Sequence, residues 1–333
     1  MLPVEITGTG VYAPGKAISN LELKALAGIE FDHERTEEKL GIKQRHIAHL
    51  RGIDETTADF ATKAAQNALK AADTDAEDIG LIIVGTDTPE FITPATSILV
   101  QGRLQKKEQW TSTFDVAASC ASFSIALDNA ARIMATDETI QYALVIGVYN
   151  MPAYVREGDA FGYSIFADGA GAVVLKRNEA AQYINSQLLT DGTQWDYIGV
   201  YAGGTRNPVT EKVLKEEKQG LLNLQRLPGD RNIRLWPMVV NKLVEKAGMK
   251  LNQIDHFIFT QINKSVIKEV MQVLEQPEEK AHFIMDRYGY TGSGCVPMTF
   301  HHGVSEGIIK KGDTVLFMAS GAGLAVGSNL FKF

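Results

Sequence analysis

Cys120 is the residue best suited to nucleophilic chemistry. It closes the run Asp115-Val116-Ala117-Ala118-Ser119-Cys120, where an extended segment ends and Ser119 offers an N-cap side chain. From Cys120 onward, apolar residues recur at Phe123, Leu127, Ala131 and Met134, the spacing of one buried helix face. A thiol at or near the first turn of a helix meets unpaired backbone N–H groups and the positive end of the dipole. Both favour the thiolate. Such a thiolate can attack a thioester, and the same amides can hold the oxyanion that results. The competing reading is that Cys120 is a small core residue, since free cysteines are among the most buried residue types. Cys295, the other of two cysteines, lies among glycines against which it is expected to pack. Two cysteines make no disulfide framework. No set of His, Cys, Asp or Glu has metal-ligand spacing, and the Gly-Ala-Gly stretches lack the setting of a dinucleotide site, so neither a metal nor a bound cofactor is expected.

A helix start of this kind must be held by a larger frame, and the chain supplies one. Residues 3–12 form a strand ending in Ala13-Pro14-Gly15, residues 54–72 an amphipathic helix, and residues 81–86 a continuous apolar run like a strand buried on both faces. A helical segment opens at 93–97, and further buried strands are expected at 142–148 and 170–175. Strands and helices in alternation predict an α/β fold with a parallel-rich sheet covered on both sides.

The second part of the chain repeats the first. ALKAADTDAEDIGLIIVGT from Ala68 aligns without a gap on LVEKAGMKLNQIDHFIFTQ from Leu243, an offset of 243 − 68 = 175. Ile79 falls on Ile254 and Ile83 on Ile258. This divides the chain into halves at 1–178 and 179–333, with the start of the Cys120 helix buried between them. The polar stretch 204–232 either covers a site mouth or is a solvated insertion, and its charge run Lys212–Lys218 reads as an exposed face.

A net charge of −7 over 333 residues argues against a broad nucleic-acid footprint. The start shows no secretory pattern, and no apolar run reaches the roughly 18 residues a membrane helix needs. A cytoplasmic protein is expected.

The ordered motifs DVAASCASF, FADGAGAVVL, DRYGYTGSGCVP and GAGLAVGSNLFKF, with EEKLGIKQRHIA and TDTPEFITPATSILVQ, resemble the thiolase-fold ketoacyl-acyl carrier protein synthase III enzymes nearly end to end. The resemblance implies a thiolase fold, two duplicated α/β halves with central helices between two mixed sheets, assembled as a homodimer. Cys120 matches the cysteine that carries an acyl group delivered by an acyl carrier protein or coenzyme A. The family's catalytic histidine and asparagine fall on Gln261 and Tyr290. Gln261 cannot carry a proton near neutral pH, which puts the family's decarboxylative condensation in doubt but affects acylation less. An oxyanion hole from the backbone N–H groups of Cys120 and Ala322 is implied, alanine standing where the family has glycine.

Arg35 and Ala160 fall where the family stacks the adenine of coenzyme A between tryptophan and arginine, which favours a carrier-protein donor. Arg35 and Lys39, with Arg231, Arg234, Lys242 and Lys246, are the candidate carrier- or coenzyme-binding residues. The alternative is that Arg231, Arg234, Lys242 and Lys246 solvate a helix face. His301 and His302 remain as possible bases, although on a helix at most one faces inward and a satisfied or solvent-facing role competes. The expected function is acyl transfer through an acyl-Cys120 thioester without the family's His/Asn pair. The alternatives are a decarboxylative 3-oxoacyl synthase, and a non-catalytic subunit or acyl-binding partner of an active paralogue.

Overall fold

The structure, a computed structural model, describes every residue except 181 and 217. Its frame in the first part of the chain comprises β1 (Val4–Tyr12), α1 (Thr57–Ala71), β2 (Ile79–Gly85), α2 (Thr96–Leu104), β3 (Ser112–Val116), α3 (Ser122–Thr136), β4 (Tyr142–Tyr149) and β5 (Gly169–Arg177). In the second part it comprises β6 (Tyr183–Gln194), α4 (Arg231–Lys246), β7 (His256–Phe259), α5 (Lys264–Val273), α6 (Cys295–Ser305), β8 (Thr314–Gly321) and β9 (Gly323–Lys332).

The helices follow from capping and apolar spacing. Thr56 and Asp59 form a capping box that starts α1, whose buried face carries Phe60, Ala61, Ala64, Ala65 and Ala68. The 175-residue offset would carry Thr57–Ala71 onto residues 232–246, and α4 begins one residue before that span and ends with it.

The first sheet runs β1-β5-β4-β2-β3 and the second β7-β8-β9-β6. β4 pairs with β2 in parallel, as β8 does with β7, while β5 lies antiparallel to β4 as β9 does to β8. The repeat in the sequence is thus a repeat of strand order and direction. The expected parallel-rich sheets are in fact mixed. Unbroken apolar runs report burial on both faces and carry no information on strand direction.

α3 and α6 lie between the two sheets, α3 against β2, β4 and β9, and α6 against β5, β1 and β7. α1 and α2 cover the outer face of the first sheet, and α4 packs on β6 and β9 of the second. Close approach at the centre needs Gly85 on β2, where an added Cβ would stand 2.7 Å from the Phe123 nitrogen of α3. Cys120 and Cys295 are also 295 − 120 = 175 residues apart, so each copy of the repeat has a cysteine at the start of its central helix. Among the described residues, no helix is long and apolar enough to cross a membrane.

Candidate active site

β2 and β3 are parallel neighbours, with Gly85 opposite Val116, so the chain leaves both strands at the same sheet edge. Asp87 emerges from one and the turn 118–121 from the other. That turn is held by the Ser119 carbonyl, which accepts from the Ser122 amide (3.0 Å), the Ser122 hydroxyl (2.6 Å) and the Ser293 hydroxyl (3.1 Å). The Ser122 hydroxyl also accepts from the Ala118 amide at 2.9 Å. Ser119 itself adopts φ +50°, a left-handed conformation that costs a non-glycine residue about 1–3 kcal/mol and that these bonds fix. Ser119 is therefore not the N-cap. α3 begins at Ser122, and Cys120 stands in the turn just before it. Gly321, at the end of β8, closes the other side, since a Cβ there would lie 2.5 Å from the Cys120 nitrogen.

Cys120 opens onto a cavity of about 660 Å³, which Asp87, Tyr149, Phe166, Arg231, Tyr290 and Ala322 help to line. Burial and the neighbouring Asp87 carboxyl push the Cys120 thiol up to about 12, while the Tyr290 phenol and the Ser119 hydroxyl pull it down. Ser119 Oγ lies 3.6 Å from Cys120 Sγ. The resting group is a thiol, contrary to the expected thiolate. The helix start falls two residues too late to outweigh desolvation, and the nearest charge has the wrong sign.

Asp87 is also displaced, raised from 3.8 to about 6 by burial, with Ser119 opposing the shift. Among the described residues its buried Oδ1 has no hydrogen-bond partner. Tyr290 is held by its backbone, its N–H donating to Ile165 and its carbonyl accepting from Ala167, both at 3.0 Å. Its ring lies 5.8 Å from that of Phe166 and 6.3 Å from that of Tyr149, and burial keeps its phenol protonated.

The structure brings Cys120, Tyr290, Ala322 and Arg231 together and leaves the other expected residues elsewhere. Gln261 is fully buried behind the site. Its Nε2 donates to the Phe259 (2.9 Å) and His282 (3.0 Å) carbonyls, and its Oε1 accepts from the Ile284 amide (2.9 Å). It serves the backbone and is no part of the cavity wall. Arg231 is half-buried. It opens α4 at the cavity wall, where burial lowers it and the Tyr290 and Cys120 groups raise it. Among the described residues its side chain has no ion pair or hydrogen bond.

Arg234 is exposed and paired with Asp230 at 2.9 Å, Lys242 is exposed, and Lys246 donates to the Ser186 carbonyl. Arg35 and Lys39 are exposed on the segment 33–40, and Ala160 opens the short helix Ala160–Ile165. None of these three lines the cavity, although Phe161, beside Ala160, does. His301 meets Thr9 Oγ1 at 2.9 Å and His302 meets the Tyr288 hydroxyl at 3.0 Å, so both are satisfied away from Cys120. Cys295 is sealed in the core and burial raises its thiol.

The stretch 204–232 divides. Leu221, Leu224, Gln225 and Leu227 cover the cavity, and Leu221–Asn223 pairs antiparallel with Ile198–Val200 as a small two-stranded ribbon over it. Residues 211–216 are largely exposed, with Lys215 paired to Glu211. A second hollow of about 820 Å³, lined by Tyr154, Arg156, Glu157, Asp159 and Gln219, meets the first at Val200. Asp87 escaped the sequence reading. Its signal was a carboxylate set between two threonines, two residues beyond a strand buried on both faces. Among the described residues, no group of three His, Cys, Asp or Glu side chains is placed to hold a metal ion.

Residues 114–192 match the family 3-oxoacyl-[acyl-carrier-protein] synthase III, and residues 244–333 match its C-terminal part. The beta-ketoacyl-[acyl-carrier-protein] synthase III of Aliarcobacter butzleri is 31% identical over 340 residues, which span all of this chain and 98% of that protein. The crystal structure of 3-oxoacyl-[acyl-carrier-protein] synthase III from Aquifex aeolicus superposes with a TM-score of 0.86 at 30% identity, over 99% of this chain and 100% of that one. A priming β-ketosynthase of a polyketide biosynthetic pathway has the same fold, with a TM-score of 0.86 at 24% identity over 99% and 96% of the two chains.

Proposed function

The chain belongs to the 3-oxoacyl-[acyl-carrier-protein] synthase III family, and on that premise we propose that it transfers acyl groups through an acyl-Cys120 thioester. The observation that carries this reading is Cys120 itself, set in a constrained turn and open to a covered cavity large enough for an acyl chain. The acyl group arrives as a thioester of an acyl carrier protein or coenzyme A. The carbonyl carbon bonds to Cys120 Sγ, its oxygen turns toward the amides of Cys120 and Ala322, and the donor leaves as its thiol.

Transfer to the acceptor proceeds without a histidine. Among the described residues no histidine lines the cavity, and the engagement of Gln261 by three backbone groups supports a route that does not use it. Tyr290, protonated and facing Cys120, supplies the remaining hydrogen bond. The enzyme works in the cytoplasm as a homodimer. The exposed Phe91, Ile92 and Ile98, on and beside the loop that follows Asp87, support an apolar contact with a second copy.

Intact-mass spectrometry tests the reading after incubation with acyl-coenzyme A and acyl-carrier panels. The wild type and Cys295→Ala should gain one acyl group, and Cys120→Ala none. Acylation that persists in Cys120→Ala refutes the nucleophile. Rapid decarboxylation of malonyl-carrier by the wild type would favour the decarboxylative synthase instead.

A further inference from the structure

Cys120 rests as a thiol, so something must accept its proton, and among the described residues no histidine lines its cavity. His301 is bound to Thr9, His302 to Tyr288, and His256, on β7, to His282 at 3.0 Å. Among the cavity-lining residues, Asp87 is the one carboxylate. It sits there because β2 and β3 are parallel neighbours that release it and the Cys120 turn from one edge. Among the described residues its buried Oδ1 has no hydrogen-bond partner, which leaves one carboxyl oxygen at the cavity able to accept a proton. The hydroxyl of Ser119, a residue held at φ +50°, lies 3.6 Å from Sγ and also steadies the Asp87 carboxylate.

We propose that Asp87 is the general base of this site, taking the proton of Cys120 during acylation and that of the acceptor during transfer. The inference rests on the acyl-Cys120 reading above. In acylation the Cys120 proton passes to the Asp87 carboxylate, directly or through the Ser119 hydroxyl, which gives one proton as it gains one. Sγ bonds to the acyl carbon, the donor C–S bond breaks, and the Asp87 carboxyl returns the proton to the departing thiolate. In transfer an O–H or N–H acceptor gives its proton to Asp87 as it bonds to the acyl carbon. The C–Sγ bond then breaks and Cys120 regains a proton from Asp87. Asp87 ends each half-reaction as it began, with no oxidant, reductant or metal required.

The groups facing Asp87 do not titrate in its range. They are Cys120 from the turn, and Tyr149 and Tyr154 at and beyond the end of β4, all three raised by burial and by the Asp87 charge. Arg231 stands on the same cavity and keeps its charge throughout. A rate limb near pH 6 therefore belongs to Asp87.

The test is the pH dependence, from 5 to 8.5, of two reactions at Cys120 in the wild type and in Asp87→Asn. One is single-turnover acylation by acetyl- and octanoyl-coenzyme A, and the other is alkylation by iodoacetamide. Both are read by intact mass, with peptide mapping to Cys120. In the wild type both rates should rise through about pH 6. In Asp87→Asn that limb should vanish and acylation should slow by about 100-fold or more, the range of general-base catalysis.

A variant within threefold of wild type with the same limb overturns the proposal, as does a wild type with no limb. Alkylation needs no thioester, so it tests Asp87 even if neither donor acylates the protein, an outcome that would count against the acyl-Cys120 reading alone. The wild-type profile decides the matter if the variant does not fold.

Discussion

Gln261 satisfies two carbonyls and one amide in a fully buried position, and its replacement shows what those bonds contribute. Gln261→Ala removes both the amide NH₂ and the oxygen, leaving the Phe259 and His282 carbonyls and the Ile284 N–H short of a partner. A buried polar group left unpaired costs about 1–3 kcal/mol, so the loss should be about 3 kcal/mol or more before the packing defect is counted. Gln261→His separates satisfaction from chemistry. An imidazole has two nitrogens and can meet at most two of the three groups, so a loss of about 1–3 kcal/mol is expected.

Urea unfolding followed by tryptophan fluorescence is a suitable assay. Trp236 stacks on Phe259 at 5.3 Å and reports on the strand that Gln261 ties down. Both variants should unfold at lower urea, alanine the earlier. Variants within about 0.5 kcal/mol of wild type, the range of an inconsequential surface change, would refute the reasoning and free Gln261 for a role in catalysis.

Two further outcomes follow from the same geometry. Burial raises the Asp87 carboxyl from its ordinary 3.8 to about 6, so the folded protein holds that proton more tightly than the unfolded chain does. Stability from this group is then lost as pH rises from about 4 to about 6. Asp87→Asn should be similar to wild type near pH 4 and more stable at pH 7.5 by up to about 3 kcal/mol, at ~1.4 kcal/mol per unit. Denaturation midpoints at the two pH values check this, and a constant difference would contradict it. Tyr290→Phe removes the phenol that steadies the Cys120 anion. A hydrogen bond to a charged group is worth about 1.5–3 kcal/mol, so single-turnover acylation should slow by about 10–100-fold, and an unchanged rate would leave Tyr290 as wall alone.

How far the sequence reaches can be seen residue by residue. The duplication was legible because both copies kept their apolar register, so Ile79 and Ile254 mark corresponding strands. Cys120 was legible because small and apolar residues flank it in helical spacing. The turn was not, because Ser119 reads as an N-cap by type. Only the three donors converging on its carbonyl force it to φ +50° and delay the helix. Gln261 and Arg231 were placed by position along the chain, which says nothing about where a side chain turns. One turned into the backbone and the other into the cavity. Asp87 depended on a parallel pairing of β2 with β3, a long-range fact that no local pattern encodes.

The cysteines at the two central-helix starts give the protein an internal reference. Cys120 and Cys295 are 175 residues apart, the period of the repeat, and both are buried beneath the surface. What differs is that Cys120 borders a cavity and Cys295 does not. A thiol reagent added to the intact protein therefore runs a controlled comparison within a single molecule. Place in the repeat, solution conditions and reagent are held constant between the two sites. The ratio of their labelling rates measures what the cavity and the groups on its wall, Asp87 among them, contribute to reactivity, and any condition that brings the ratio toward one reports the loss of that surrounding.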